Sequence, residues 1–185
     1  MARRRRTPEQ AREEILDAAE ALLLQEGPDA LKVARVARQA GMSHPGLLHH
    51  FPSATALAEG LHQRVSRSIR EDLMDLLEGE GERTDVLQSV TERLADPSKG
   101  RLLAWVLASG RDPFPPAGEQ GLARVAESLA APGSDPAVVR HKIALVVLAM
   151  LGDSLMGAAV RQRLGVGEEA AADFRRWVLM QVIGT

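Results

Sequence analysis

Residues 33–51 read VARVARQAGMSHPGLLHHF, and this stretch decides the fold. Its first part sets Val33, Val36, Ala37 and Ala40 at i, i+3, i+4 and i+7, the spacing of one helix face. Gly41 ends that helix. Ser43 stands where a side-chain oxygen caps the next one, a very short helix reaching about His50, and Pro52-Ser53 closes it. Two short helices joined at a glycine turn form a helix-turn-helix pattern. Small residues are expected where the two cross, and Ala37 and Gly41 stand there. The second helix is too short to persist alone, so its neighbours must brace it. Leu47, His50 and Phe51 are expected to face inward, which leaves Ser43, His44, Pro45, Gly46, Leu48 and His49 outward. That face, with free backbone N–H groups at its capped end, suits phosphates and base edges.

The three histidines admit other chemistry. His44 and His49 are five apart and His49 and His50 adjacent, so neither pair has the i, i+4 spacing that aims two imidazoles at one metal. No Asp, Glu or Cys stands close in sequence to complete a set, and no metal site is expected. His50 reads as a packed histidine hydrogen-bonded between helices. His44 and His49 read as DNA contacts, with plain solvated residues as the alternative.

Working outward, TPEQ at 7–10 is a helix start, with Thr7 as cap, Pro8 at the first position and Gln10 where a capping box wants Glu or Gln. The first helix then runs to about Gln25, buries Ala11, Ile15, Ala18, Ala19 and Leu22, and stops at Gly27-Pro28. A long helix over about 53–79 carries Leu57, Leu61, Val65, Ile69, Leu73, Leu76 and Leu77. Further helices are expected over about 85–95, 98–108, 120–131 and 136–164, with a last one to about Val182.

Composition agrees with an all-helical chain. Tyr is absent, with three Phe and two Trp in 185 residues, so Ala, Leu and Val must fill the core. Zero cysteine excludes disulfides, thiolate metal sites and a Cys nucleophile. No run approaches the roughly 18 apolar residues of a membrane span, and the most apolar piece, IALVVLAML, is about half as long. This reads as a soluble cytoplasmic protein with no membrane part. The net charge of −2 hides an asymmetry: residues 1–70 hold 11 Lys+Arg against 8 Asp+Glu, residues 71–185 hold 12 against 17. A basic head on an acidic body implies that only the head meets a polyanion. Arg3, Arg4, Arg5 and Arg6 read as a DNA-touching arm or else as a solvated tail. There is no glycine-rich phosphate loop and no nucleophile elbow. His62 and His141 read as buried polar groups or ligand contacts rather than a catalytic base, so no catalytic residue is expected.

The last two helices are unusually apolar for a chain end. A chain this size covers one such helix and leaves part of two exposed, so Val147, Met150, Leu151, Phe174, Trp177 and Val178 are expected to meet a second copy in a symmetric four-helix contact. Gly152, Gly157 and Ala158 permit close helix approach. Large apolar residues at Leu73, Met74, Leu77, Leu102, Trp105, Val106, Val125 and Leu129, with His62, Gln88 and His141 as polar contacts, are expected to bound a small, mainly apolar effector; the alternative is a filled core.

The segments ILDAAEALL (15–23), Gly27 and VARVARQAGMSHPGLLHHFPSATAL (33–57) together resemble the DNA-binding head of the tetracycline-repressor type (TetR family) of bacterial transcriptional regulators. The resemblance covers about residues 8 to 60. It implies an all-α fold, with a three-helix helix-turn-helix head over 1–53 and a helical effector-binding and dimerisation body over 54–185. It also implies a ligand-controlled repressor that needs no cofactor. Its third helix would enter the major groove, a homodimer would read a palindromic operator in double-stranded DNA, and a ligand in the body would release that DNA through the long helix beginning near Ser53. Leu31 and Lys32 stand where the family usually opens its second helix with Thr or Ser, Leu48 stands for the usual Tyr, and Ala54 for a common Lys. Lys32 and the Arg3–Arg6 arm supply charge in place of those anchors. The rival readings are a helical small-molecule- or metal-binding enzyme and a non-specific architectural DNA binder.

Overall fold

The structure is a computed structural model that describes residues 7–78, 92–93, 96–114, 122–128, 130 and 132–183, and every described element is helical. The expected helix over 85–95 lies almost wholly outside those residues. The chain divides into two compact units, Met1–Val65 and Ser66–Thr185. The expected seam at 53/54 differs from this division, because the first turns of the long helix pack into the head's core.

In the first unit, α1 (Pro8–Glu26) opens on a complete capping box: the Thr7 hydroxyl accepts from the Gln10 N–H and the Gln10 side chain accepts from the Thr7 N–H. Its apolar stripe, Ala11, Ile15, Leu16, Ala18, Ala19, Leu22 and Leu23, is buried. After a 3₁₀ turn at Pro28–Ala30 come α2 (Val33–Gln39) and α3 (His44–His50). The long α4 (Ala54–Glu78) starts where Ser53 Oγ accepts from the Ala56 N–H at 3.0 Å, and contributes Leu57, Leu61 and Val65 to the core. Arg64 on α4 reaches three carboxylates of α1, Glu13 at 3.4 Å, Asp17 at 2.5 Å and Glu20 at 3.5 Å. One partly buried cation shared by three acids is a better brace than isolated surface pairs, which contribute roughly 0–1 kcal/mol. Gly60 lies against Phe51: a Cβ there would fall 2.6 Å from Phe51 Cε1. His62, expected among the body's polar contacts, is instead buried within this first unit.

In the second unit, α5 (Pro97–Ala108) is capped by Asp96, whose carboxylate accepts from the Ser98 N–H at 2.8 Å, so it begins one residue earlier than expected, with Pro97 in the first turn. Asp72, on the later half of α4, holds both Arg93 and Lys99. α6 (Leu122–Ser128) packs on α7 (Pro136–Gly152) through Val125, Ala126 and Ile143, with Ile69, Leu122, Val139, Val147 and Leu179 around them. α7 continues through one π turn, Asp153–Gly157, into α8 (Ala158–Leu164), and α9 (Ala170–Ile183) returns alongside α7, closing on Val146, Met150 and Val178.

The π turn is built around an ion pair. Asp153, whose side chain is 4% exposed, takes Arg161 of α8 on one oxygen and Arg175 of α9 at 3.4 Å on the other. The hydrogen bond that Arg161 donates to Asp153 raises the guanidinium's pKa further above its already high range. Gly157 leaves room for the pair, since a Cβ there would collide with both Asp153 and Arg161. Gly100 likewise lets α5 sit on Ser154. The helical stretch Pro136–Leu164 spans 29 residues and is long and apolar enough to cross a membrane by length and composition, with 22% of its apolar window buried. The uninterrupted apolar run is as short as expected; it is the average over the helix, with Gly152, Asp153 and Ser154 breaking the run, that reaches a span's value.

Replacing Gly60 with Ala should push the Phe51 ring out of place and lower the stability of the head by about 2 kcal/mol. Urea unfolding followed by circular dichroism reads this as a lower midpoint at unchanged slope; an unshifted midpoint would mean that Phe51 has room to yield.

Candidate nucleic-acid interface

α2 has Lys32 at its N-cap and no side-chain cap, consistent with Leu31 and Lys32 replacing a hydroxyl residue. Val36 and Ala37 point into the core, which leaves Lys32 and Arg38 exposed on the other side. Arg35 is held by Glu26, its Nη2 lying 2.6 and 2.7 Å from the two carboxylate oxygens. The turn closes with Gly41 N–H donating to the Arg38 carbonyl at 3.2 Å and Met42 N–H to the Ala37 carbonyl at 2.9 Å, a Schellman pair with glycine in the left-handed position, φ +62°. Ala37 is buried as expected, but Gly41 serves a different purpose from the one expected. A Cβ on Gly41 meets nothing within 4 Å, so backbone conformation, not helix crossing, requires glycine there.

α3 starts at its cap, with Ser43 Oγ accepting from the Gly46 N–H at 3.1 Å and Pro45 in the first turn. Leu47 and Phe51, 0% and 1% exposed, anchor it. Ser43, His44, Pro45 and His49 are exposed, and Gly46 and Leu48 are half-buried at the edge of that face. His50 departs from the expected packed histidine: it is half-buried, its ring stands edge-on to His49 at 5.3 Å, and its backbone carbonyl accepts from Arg12 Nη1 at 2.6 Å. Leu47 and Phe51 occupy the buried positions on either side of it, and His50 stands at the rim. Arg3, Arg4, Arg5 and Arg6 lie outside the described residues. Arg38 was not singled out in the sequence, although the inward set Val33, Val36, Ala37 and Ala40 already assigned position 38 to the outer side.

The expected body sites are only partly gathered. Leu102, Leu103 and Val106 are buried on α5, Trp105 and Met74 are half-buried, and the Leu77 side chain, Leu129 and Gln88 lie outside the described set. Val125 belongs to the α6–α7 core, and His141 is exposed on α7. A shallow groove of about 400 Å³ lies in the head, lined by Glu14, Asp17, Ala18, Ala21, Gln39 and Ala40, a lining more polar than that expected for an apolar effector. Of the residues expected to meet a second copy, Met150 of α7 and Val178 of α9 are covered by their own chain, because the two helices bury them against each other. Val147 and Leu151 are half-buried, while Phe174 and Trp177 are exposed, Trp177 at 61%. The uncovered apolar face runs through Leu145, Leu148, Met156 and Leu164 as well.

Ser43→Ala should cost the head about 1 kcal/mol by leaving the Gly46 N–H without its acceptor. Thermal unfolding of the full chain tests this, and a variant as stable as the parent would show that water replaces the cap.

Residues 15–61 match the family described as bacterial regulatory proteins, tetR family. Among curated relatives, the nucleoid occlusion factor SlmA of Aliivibrio fischeri is 40% identical over 70 residues, 37% of this chain and 36% of the relative. The SlmA of Vibrio cholerae is 33% identical over 84 residues, 45% of this chain and 43% of the relative. The chain thus matches well under half the length of these relatives. Among solved structures, a TetR-family transcriptional regulator from Mesorhizobium loti superposes with a TM-score of 0.62 at 18% identity, over 97% of this chain and 96% of that one. The TetR family protein CprB from Streptomyces coelicolor, solved in complex with its biological operator sequence, gives a TM-score of 0.54 at 19% identity over 96% and 99%.

Proposed function

We propose that the chain is a DNA-binding transcriptional regulator of the tetR family, whose model its residues 15–61 match, and that it is a ligand-responsive repressor reading a palindromic operator as a homodimer. The observation that carries this reading is the α3 face: a short helix capped by Ser43, anchored by Leu47 and Phe51, and presenting His44, Pro45 and His49 to solvent. In the major groove such a helix places its N-terminal residues on base edges. His44 is the first of them, with Ser43, Gly46, Leu48 and His49 beside it and Lys32 and the Arg3–Arg6 arm on phosphates. Arg38, exposed at the last turn of α2, joins the phosphate set.

The face formed by Leu145, Leu148, Phe174 and Trp177 supports the homodimer, since a monomer rarely leaves so much contiguous apolar surface on two adjacent helices. Two copies packed across it would set their heads about one helical turn, ~34–36 Å, apart on DNA. The buried α5 side chains Leu102 and Val106, with Trp105 beside them, support a small apolar effector in the body. Such a ligand releases DNA only by favouring a head separation that misfits the operator, and a coupling of ~1–3 kcal/mol changes affinity roughly 5–150-fold.

Selection of bound sequences from a random duplex pool tests the function: a palindrome with half-sites about 10 base pairs apart is expected, and an unenriched pool would leave a non-specific binder. On the selected operator, His44→Ala should cost about 1–3 kcal/mol and much less on random DNA; equal losses on both would remove His44 from the reading set. Sedimentation of the double variant Leu148→Glu, Trp177→Glu should give a folded monomer, and a dimer that survives both charges would move the subunit contact elsewhere.

A further inference from the structure

The C-terminal end of α3 is fastened by a side chain from another helix. Arg12, on the second turn of α1, donates from Nη1 to the His50 carbonyl at 2.6 Å, while its guanidinium carbon lies 4.2 Å from the centroid of the Phe51 ring. His50 is the last residue of α3, so this carbonyl is one that the helix itself leaves without a donor. Phe51 is in turn immobilised: it is 1% exposed, and its ring edge presses on the backbone of Gly60 in α4. α1, the end of α3 and α4 therefore meet in one stack, Arg12 over Phe51 over Gly60. A guanidinium suits this position because it is planar enough to lie on a ring while an edge N–H donates sideways, which an ammonium cannot do equally well. Its charge also complements the negative end of the α3 dipole.

We propose that Arg12 is a positioning residue for DNA reading, one that fixes the pitch of α3 and touches no DNA itself. The inference rests on the reading-helix assignment made above. Base contacts demand a fixed helix orientation, whereas phosphate contacts tolerate a shifting one, so loss of the fastening removes sequence preference before it removes binding. The effect falls on His49, one residue before the fastened carbonyl.

The full chain and its Arg12→Ala and Arg12→Lys variants carry the test, each measured in two ways. Without DNA, hydrogen exchange of the amides at 47–51 should quicken roughly tenfold in Arg12→Ala, with the amides of α1 at 15–23 unchanged and Arg12→Lys in between. With DNA, the variant should lose roughly tenfold in affinity for the selected operator and less than about twofold for a random duplex, at an unchanged salt slope. Unchanged exchange at 47–51 overturns the fastening. Equal loss on both duplexes with a shallower salt slope makes Arg12 a phosphate ligand and also overturns it. If Arg12→Ala unfolds the whole head, the same comparisons on Arg12→Lys decide. Should the parent chain select no operator, the DNA-reading assignment fails, and the exchange measurement still decides whether Arg12 holds α3.

Discussion

A helix of seven residues has no hold on its own conformation, and the head depends on the two apolar side chains, Leu47 and Phe51, that tie α3 to its neighbours. Each buried side chain of this size contributes roughly 1.5–3 kcal/mol relative to exposure, and α3 has no others fully buried. Everything else in the head serves that anchorage. The capping box at Thr7 and the shared cation Arg64 stiffen α1, the Arg35–Glu26 pair holds α2 to it, and the absence of a side chain at Gly60 makes room for Phe51. A face built this way can carry polar, poorly helix-forming residues such as His44, Pro45 and Gly46, because the helix does not rely on their propensity.

The body obeys a different constraint. Its cores are modest, one around Val125 and Ile143 and one around Met150 and Val178, and much of its apolar surface faces outward. The helix that carries most of that surface has the length and composition of a membrane span, yet in its middle sits Asp153, paired with Arg161 and Arg175 and turned into the protein. Such charges are stabilised by one another and by the backbone around them, and removing one partner would leave the others buried and unmatched. The same helix thus combines a polar inner seam with an apolar outer face, the arrangement suited to a protein-covered surface.

Local signals in the sequence proved the most legible. Thr7-Pro8-Glu9-Gln10 and Ser43 are helix starts whose chemistry involves residues three apart, and each forms as read. The buried stripe of α1 follows from its spacing alone. What escaped the reading depends on distant partners or on averages. Gly41 ends α2 as read, but the crossing role also given to it is not used, since what requires glycine there is the backbone angle. His50 was placed inward, whereas Leu47 and Phe51 take the buried positions and leave it half-buried. Met150 and Val178 were assigned to a partner surface, whereas α7 and α9 bury them against each other within the chain. The membrane-length stretch was hidden because three non-apolar residues break its run, and two of them, Asp153 and Ser154, form the π turn that satisfies them. The exposed residues of α3 were legible as a pattern, while the hydrogen bond from Arg12 joins residues 38 positions apart and no periodicity reveals it.

That π turn has a further consequence for how this fold can diverge. A π turn amounts to one residue inserted into an α-helix, and each α-helical residue turns the chain by about 100°. Everything after it, Val160 and Leu164 included, therefore owes its bearing to that one extra residue. A lineage that lost it would swing the end of this helix by about 100° relative to α7, and would bring Arg161 off Asp153 in the same step. Insertion and deletion here act as a rotational gear: a single-codon event reorients a whole surface while every side chain on it keeps its identity, so chains with nearly the same residues along this helix can present quite different faces.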